Sequence, residues 1–479
     1  MEPRSQSNNH PNQEQGMSFF KAYDMRGTYG VDFDLAMVRE IGRALVEVVG
    51  GKRWLVGRDV RTTSEDVHDA LVEGLAAAGA EIVDIGLSTT PMVYFFTAME
   101  EVDGSVMVTA SHNPPGDNGL KVSRKGALPV GYADGLDKVE AIVEARLAGM
   151  DRSSYIPART ARVDNAKYIA RYVEWMRART SLPDAGLKYA VDCSNGMSSL
   201  LVRDLFPGAV VINETPDGTF PAHSPNPLKA EAREMLAAAV REKGLDFGII
   251  FDGDADRAMF VDEKGEFIQP DYLTPFVARA TLDELKAEEA HPAVIYDIRT
   301  SRGSIEALAE MGCTAVMVPV GHAFAKPILR SSGAVCGGEL AGHYYFREFF
   351  GCDSGVLAAL RIVRAAGEAK AAGKTMSQMM ASVVSRYANS GELNFKVEDK
   401  DAAIARVLEC ARTNLPAETG RSDMDGVRIE YAEGWMNIRK SNTEPYLRLI
   451  VEADTQERLA RWVALLSAAI ENKESGRNV

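Results

Sequence analysis

The chain has 479 residues, 46% of them hydrophobic and 25% charged. That composition is ordinary for soluble globular proteins and excludes a collagen-like, coiled-coil or mostly disordered chain; one hydrophobic core stops growing near about 250–300 residues, so several domains are required. Asp and Glu number 68 against 54 Lys and Arg, a net charge of −14, which argues against a dedicated nucleic-acid binder and against docking on anionic membranes. In chain order, Met1–Gly16 are polar and lack the apolar run of a secretory signal. They read as a disordered extension, with folding from Met17. Short apolar runs then alternate with helical patterns, the mark of layered α/β structure. Trp54–Asp59 reads as a strand, Ser64–Ala78 as a helix stopped by Gly79, and Glu81–Ile85 as a strand. Gly104–Thr109 is a further strand, running into Ser111 and a turn rich in Gly, Pro and Asn.

A second round starts near Asn165: helix Tyr168–Arg179, strand Lys188–Asp192, helix Met197–Leu205, strand Val210–Asn213 and a buried strand Phe247–Phe251. A third starts near Asp271: strand Ala293–Asp297, helix Gly303–Met311, strand Thr314–Val318 and a glycine-rich, then aromatic segment Gly337–Phe346. Asp353 is the expected N-cap of a helix Ser354–Ala366. From Ala388 the pattern becomes α+β: a helix near Lys400–Leu415, strands Val427–Tyr431, Trp435–Arg439 and Leu447–Ala453, and a final helix. The expected domains are therefore 17–160, 161–265, 266–387 and 388–479. Cys193, Cys313, Cys336, Cys352 and Cys410 are scattered and form no CxxC pair, so no disulfide framework or structural zinc is expected, and a reducing cytoplasm fits best. No stretch approaches the roughly 18 apolar residues of a membrane span.

Four segments carry chemistry. In Thr109-Ala110-Ser111-His112-Asn113-Pro114-Pro115 a hydroxyl stands at the carboxyl end of a strand, where α/β sheets bind ligands. Such a serine can act as nucleophile or phosphoryl carrier, or simply cap a following helix. It lacks the G-x-S-x-G elbow of an α/β-hydrolase. In Asp252-Gly253-Asp254-Ala255-Asp256-Arg257 three carboxylates at alternate positions cannot all be buried uncompensated. Hard oxygen ligands suit Mg²⁺. An EF-hand would need Gly and Glu at its sixth and twelfth positions; Arg257 and Glu263 stand there, so the glycine is missing. Arg439-Lys440-Ser441-Asn442-Thr443-Glu444-Pro445, with Arg448 beyond, gathers forks, hydroxyls and loop amides suited to a phosphate dianion, without Walker A spacing. In Gly337-Gly338-Glu339-Leu340-Ala341-Gly342-His343, the carboxylate can accept from two sugar hydroxyls and the imidazole can shuttle a proton. Gly321-His322 is a weaker feature. Near the amino end, Phe20-Lys21-Ala22-Tyr23-Asp24-Met25-Arg26-Gly27 offers Tyr23 and Arg26 to an anion near Ser111, as does Lys121. A serine, a magnesium loop, a phosphate-catching loop and a hydroxyl-reading Glu suit phosphoryl transfer through a phosphoserine on a phosphorylated polyol.

TASHNPP, DGDADR, GGELAGH and RKSNTEP, in that order and with FKAYDMRG in front, resemble the α-D-phosphohexomutases, over about Met17 to the end. The resemblance implies a four-domain fold, three related α/β domains and a TBP-like α+β domain around a central cleft. It implies Ser111 as phosphoserine, with Asp252, Asp254 and Asp256 holding Mg²⁺ together with the phosphoryl oxygen. Arg26, Lys121 and Arg257 would line the transferring phosphate, and Tyr23, His112 and His322 the substrate. Glu339 would read sugar hydroxyls, and His343 and Lys121 would serve as acid and base. Arg439, Ser441, Asn442, Thr443 and Arg448 would hold the non-reacting phosphate. The implied reaction is reversible transfer between the 1- and 6-positions of a hexose phosphate through glucose or mannose 1,6-bisphosphate. ELAGH and SNTEP resemble the phosphomannomutase/phosphoglucomutase branch more than phosphoglucosamine mutase, whose members usually read EQSGH and SGTEP. A magnesium-dependent sugar phosphatase and a non-catalytic sugar-phosphate binder are the other readings. Ala341 stands where many relatives carry Ser, and Pro319 where many carry a base, for which Lys326 is the available substitute.

Overall fold

The computed structural model describes residues 19–161, 163–182, 186–286, 289–441 and 446–472. The expected extension at 1–16 lies outside them. Three mixed sheets follow one another on one plan. In the first, the strand order is Met25–Thr28, Asp117–Arg124, Gly104–Val108, Arg53–Arg58, Glu81–Leu87. The second runs Phe267–Ile268, Ala258–Val261, Phe247–Phe251, Tyr189–Asp192, Val210–Ile212. The third runs Thr314–Val318, Ala293–Asp297, Cys336–Gly338, Tyr344–Phe346, Cys352–Asp353. In each, one inner strand (Arg53–Arg58, Tyr189–Asp192, Ala293–Asp297) pairs parallel on both sides, and antiparallel strands complete the sheet. Their all-apolar runs, such as Phe247–Phe251, are buried on both faces, as helix-covered parallel sheets demand. The fourth sheet is antiparallel, with Leu447–Ala453, Gly434–Lys440, Val427–Tyr431 and Glu418–Ser422 in sequence across it and helices Lys400–Asn414 and Gln456–Glu471 packed nearby.

One apolar core runs without a break from Leu55 through Phe251 to Val383, so the first three domains are welded by burial. The fourth has its own core around Met436, Leu449 and Trp462. It meets the third domain through the small cluster Leu340, Trp435 and Ile450 and through arginines. Arg428 donates to the Ile298 and Thr300 carbonyls at 2.6 and 2.9 Å, and Arg302 to those of Tyr431 and Gly434 at 2.8 and 2.9 Å.

The structure departs from the expected elements in several places. Leu35–Val49 and Thr90–Met99 are helices that no pattern announced; their N-caps Asp34 and Thr89 accept from Met37 N and Met92 N. The helix expected over Met197–Leu205 breaks into a 3₁₀ turn, Met197–Leu200, and a single α turn, Val202–Leu205. Met197 N donates to the Gly253 carbonyl, which takes the backbone elsewhere. Gly337–Phe346 forms a hairpin: Cys336–Gly338 pairs with Tyr344–Phe346, and residues 339–343 connect the two strands. The N-cap of Gly355–Ala371 is Ser354, which accepts from Leu357 N, because Asp353 is a strand residue facing the interior.

Candidate active site

Ser111 follows Gly104–Val108 and sits in a turn with φ 51°, a left-handed conformation that side chains avoid unless their surroundings fix it. No helix begins there, so the capping role falls away. Its amide donates to Thr109 Oγ1 at 2.8 Å, and that hydroxyl donates to buried Asp59 at 2.6 Å. The Ser111 hydroxyl, 1% exposed, donates to Asp252 Oδ2 at 2.8 Å. Gly253 makes this approach possible: a Cβ there would meet the Ser111 carbonyl oxygen at 2.7 Å.

Asp252, Asp254 and Asp256 occupy the turn between Phe247–Phe251 and Ala258–Val261, all essentially buried, with carboxylate oxygens within 4.8 Å of one another. Lys121 Nζ, from the adjacent domain, bridges Asp254 and Asp256 at 2.7 and 2.6 Å. Burial alone would raise all three carboxyls. Against that burial, Lys121 and the Thr90 hydroxyl at Asp254, and Lys121, His343 and Arg257 at Asp256, together hold both below the usual carboxylate range. Burial and the two neighbouring aspartates push Asp252 well up. The same pairing raises the Lys121 ammonium despite its burial, so it stays charged. Asp254 Oδ1 and Asp256 Oδ1 are buried without a hydrogen-bond partner among the described residues. Three convergent hard oxygens, two lacking donors, fit Mg²⁺.

Arg26 completes the cationic wall, donating to Asp24 at 2.6 Å and Asn113 at 3.0 Å. His112 Nδ1 lies 3.3 Å from the Ser111 hydroxyl, and burial with Arg257, Arg26 and Lys121 around it depresses its basicity strongly. The third domain reaches in through His343. Arg257 Nε donates to His343 Nε2 at 2.9 Å; because a guanidinium only donates, Nε2 is the bare nitrogen and the proton belongs on Nδ1. That Nδ1 lies 2.7 Å from an Asp353 carboxylate oxygen. Glu339 is buried, accepts from Tyr345 at 3.0 Å and from Gly321 N at 3.3 Å. The rings of His322 and Tyr23 lie 6.1 Å apart, closing the first domain onto the third, with Phe324 5.6 Å from Tyr23.

The fourth segment gathers a second cationic group. Glu392 contacts Arg448 at 2.8 Å, Arg299 at 3.2 Å and Arg439 at 3.9 Å, and Asp425 adds a contact to Arg439 at 3.6 Å. Ser441 N donates to the Tyr446 carbonyl, so the segment doubles back there; Asn442 and Thr443 lie outside the described residues. Asp425 also accepts from Val320 N at 3.1 Å, next to Gly321-His322. Ser111, Lys121, Arg26, Asp252, Asp254, Asp256, Arg257 and His343 therefore share one connected site, and Arg439 and Arg448 form a second group tied to it through the third domain.

Lys326 lies inside the third domain rather than at the position of Pro319. Its ammonium is fully buried, 2.8 Å from Asp353 and 3.7 Å from the Tyr94 ring centre. The sequence reading also passed over Arg299, 4% exposed and just past the carboxyl end of Ala293–Asp297. An arginine at such a strand end is a usable signal in an α/β sheet.

Four family models cover the chain in order: phosphoglucomutase/phosphomannomutase alpha/beta/alpha domain I over 17–149, domain II over 166–265, domain III over 269–387, and the C-terminal domain over 392–469. The chain belongs to the phosphoglucomutase/phosphomannomutase family. Relatives include a protein named phosphohexose mutases from Xanthomonas campestris, 38% identical over 90% of this chain and 94% of the relative. A phosphomannomutase from Escherichia coli K12 is 36% identical over 91% and 95%. The crystal structure of a family member from Burkholderia thailandensis superposes with a TM-score of 0.80 at 29% identity, covering 96% of this chain and 99% of that one. Phosphoryl transfer on hexose phosphates is the chemistry of these mutases, and it makes the chain an enzyme of the isomerase class. Among the described residues, no helix is long and apolar enough to cross a membrane.

Proposed function

We propose that the chain interconverts hexose 1-phosphate and hexose 6-phosphate, with mannose and glucose phosphates as substrates, through phospho-Ser111 and a 1,6-bisphosphate intermediate. The observation that carries the proposal is the Ser111 hydroxyl 2.8 Å from Asp252, one of three convergent buried aspartates bridged by Lys121. Mg²⁺ would be held by Asp252, Asp254 and Asp256, and when bound it neutralises charge on the transferring phosphoryl group. Arg26, Lys121 and Arg257 hold the phosphoryl oxygens. In the first half-reaction the Ser111 Oγ–P bond breaks as a sugar hydroxyl forms the new P–O bond; in the second the other sugar O–P bond breaks as Ser111 Oγ takes up that phosphoryl group. The hydroxyl proton goes to His343 Nε2, the nitrogen whose lone pair faces Arg257 in the free site. Lys121, kept as an ammonium by Asp254 and Asp256, suits the acid role at the serine oxygen rather than the base role. Arg439, Ser441, Asn442, Thr443, Arg448 and Arg299 grip the other phosphate, Glu339 takes sugar hydroxyls, and the bisphosphate reverses before Ser111 recovers the second phosphoryl group. A trace of glucose or mannose 1,6-bisphosphate primes Ser111.

The test is phosphorylation itself. Incubation with glucose 1,6-bisphosphate should add one phosphoryl group to the Ser111 peptide, read by mass spectrometry. Ser111→Ala should lose both that gain and turnover while still binding mannose 1-phosphate by calorimetry. Turnover retained in Ser111→Ala would refute the phosphoserine route.

A further inference from the structure

One buried arginine outside the motifs grips the Ser111 turn from behind. Arg61 is 2% exposed. Its four terminal N–H groups each meet a main-chain carbonyl of that turn. One terminal nitrogen donates to Ser111 O and Asn113 O, both at 2.7 Å; the other donates to Pro114 O at 2.6 Å and Asp117 O at 2.9 Å. Nε faces Asp59 at 3.3 Å. Asp59 is the same carboxylate that receives the Thr109 hydroxyl, the Ser64 hydroxyl and the Arg61 amide. The turn is thus held from both ends: Thr109 fixes the Ser111 amide and Arg61 fixes its carbonyl. Ser111 sits at φ 51°, a conformation that persists where surroundings over-determine it.

The brace also reaches the acid loop. The Phe220 ring centre lies 5.1 Å from the Arg61 guanidinium carbon, and the same ring lies 3.5 Å from a Cβ placed on Gly253. Gly218 lets its segment lie against the Arg61 main chain, since a Cβ there would meet Val60 O at 2.3 Å. We propose that Arg61 is a positioning residue that sets the distance between the Ser111 oxygen and the Asp252–Asp256 loop, and so directs the phosphoryl group to sugar rather than water. The proposal rests on the phosphoserine reading. A fork with five donors in one plane matches four carbonyls and a carboxylate; an ammonium, three donors from one point, cannot.

The experiment compares wild type with Arg61→Lys. The variant is expected to lose about 100-fold in kcat, the scale of a displacement of about 1 Å between reacting groups, with KM for the sugar phosphate within about twofold. Phosphoserine charged with labelled phosphoryl should pass a larger share to water, measured as inorganic phosphate against sugar 6-phosphate. Amides of 111–118 should exchange with deuterium faster, while those of Gly104–Val108 stay protected. If Arg61→Lys does not fold, Thr109→Val removes the opposite end of the brace at nearly constant volume and should give the same pattern. A folded Arg61→Lys with kcat within threefold of wild type, or with unchanged exchange at 111–118, overturns the proposal. Failure of wild type to phosphorylate Ser111 would instead defeat the underlying mutase mechanism, and the exchange comparison would still decide whether Arg61 fixes the turn.

Discussion

At the residue scale the molecule invests its buried charges in pairs, and one carboxyl shows what happens without a cation. Asp271, fully buried at the start of helix Pro270–Leu285, accepts from Ser301 N at 2.9 Å, and no arginine or lysine is among its principal influences. Burial pushes it up to about 7. The unfolded chain ionises it near about 4, so between those values the folded state holds a proton that the unfolded state has lost. Its stabilising contribution is complete below about pH 4 and disappears as pH rises through 7. Asp271→Asn keeps the acceptor and removes the ionisation. It should raise the melting temperature at pH 8, and the gain should shrink as pH falls toward 4. A gain that is constant across that range would contradict the assignment. Asp254 and Asp256 show the opposite case, held charged by Lys121.

At the element scale the site is made by strand ends and turns from different domains touching one another. Gly253 lies against the Ser111 carbonyl, and Ala258 N donates to Gly342 O at 3.2 Å, joining the acid turn to the His343 hairpin. Gly253→Ala would force those backbones apart by several tenths of an ångström. Turnover should fall at least tenfold, since transfer depends on sub-ångström placement, while the apolar core and thermal melting change little. Wild-type turnover in Gly253→Ala would show that the two turns need not touch.

Much of this was legible from sequence because the chemistry-bearing residues are clustered. Ser111, the three aspartates, His343 and Arg439 each lie in a short polar run at the end of an apolar strand. Arg61, Arg299 and Asp353 were not legible, because their partners lie far along the chain: Arg61 acts on carbonyls 50 to 56 residues away. Asp353 precedes a helix and looked like its cap, but the carboxylate is turned inward toward Lys326 and His343 while Ser354 caps. Helix Thr90–Met99 escaped because burial on all sides erases its polar face.

At the scale of the whole molecule, one continuous apolar core joins the first three domains, and a three-residue apolar cluster with arginine hydrogen bonds joins the fourth. The Ser111 and acid turns thus sit on the continuous core, while Arg439 and Arg448, proposed above to grip the second phosphate, sit on the domain held by smaller contacts. With that much buried negative charge at the centre, a Mg²⁺ held there as proposed would be a structural partner as well. Mg²⁺ at 100 times its dissociation constant should stabilise the fold by about 2.7 kcal/mol. Removing it with EDTA should raise the melting-temperature gap accordingly and speed deuterium exchange of the Ser111 turn. Equal exchange with and without EDTA would count against Asp252, Asp254 and Asp256 as its ligands.

The most direct measurement is a ³¹P NMR time course with the purified chain, Mg²⁺ and a trace of glucose 1,6-bisphosphate. Mannose 1-phosphate, glucose 1-phosphate and glucosamine 1-phosphate are supplied in separate tubes. The account predicts 6-phosphate growing to equilibrium from the mannose and glucose substrates, at rates well above glucosamine. Inorganic phosphate as the sole product would indicate a phosphatase, and no change in any tube with Ser111 phosphorylated would contradict the mutase account altogether.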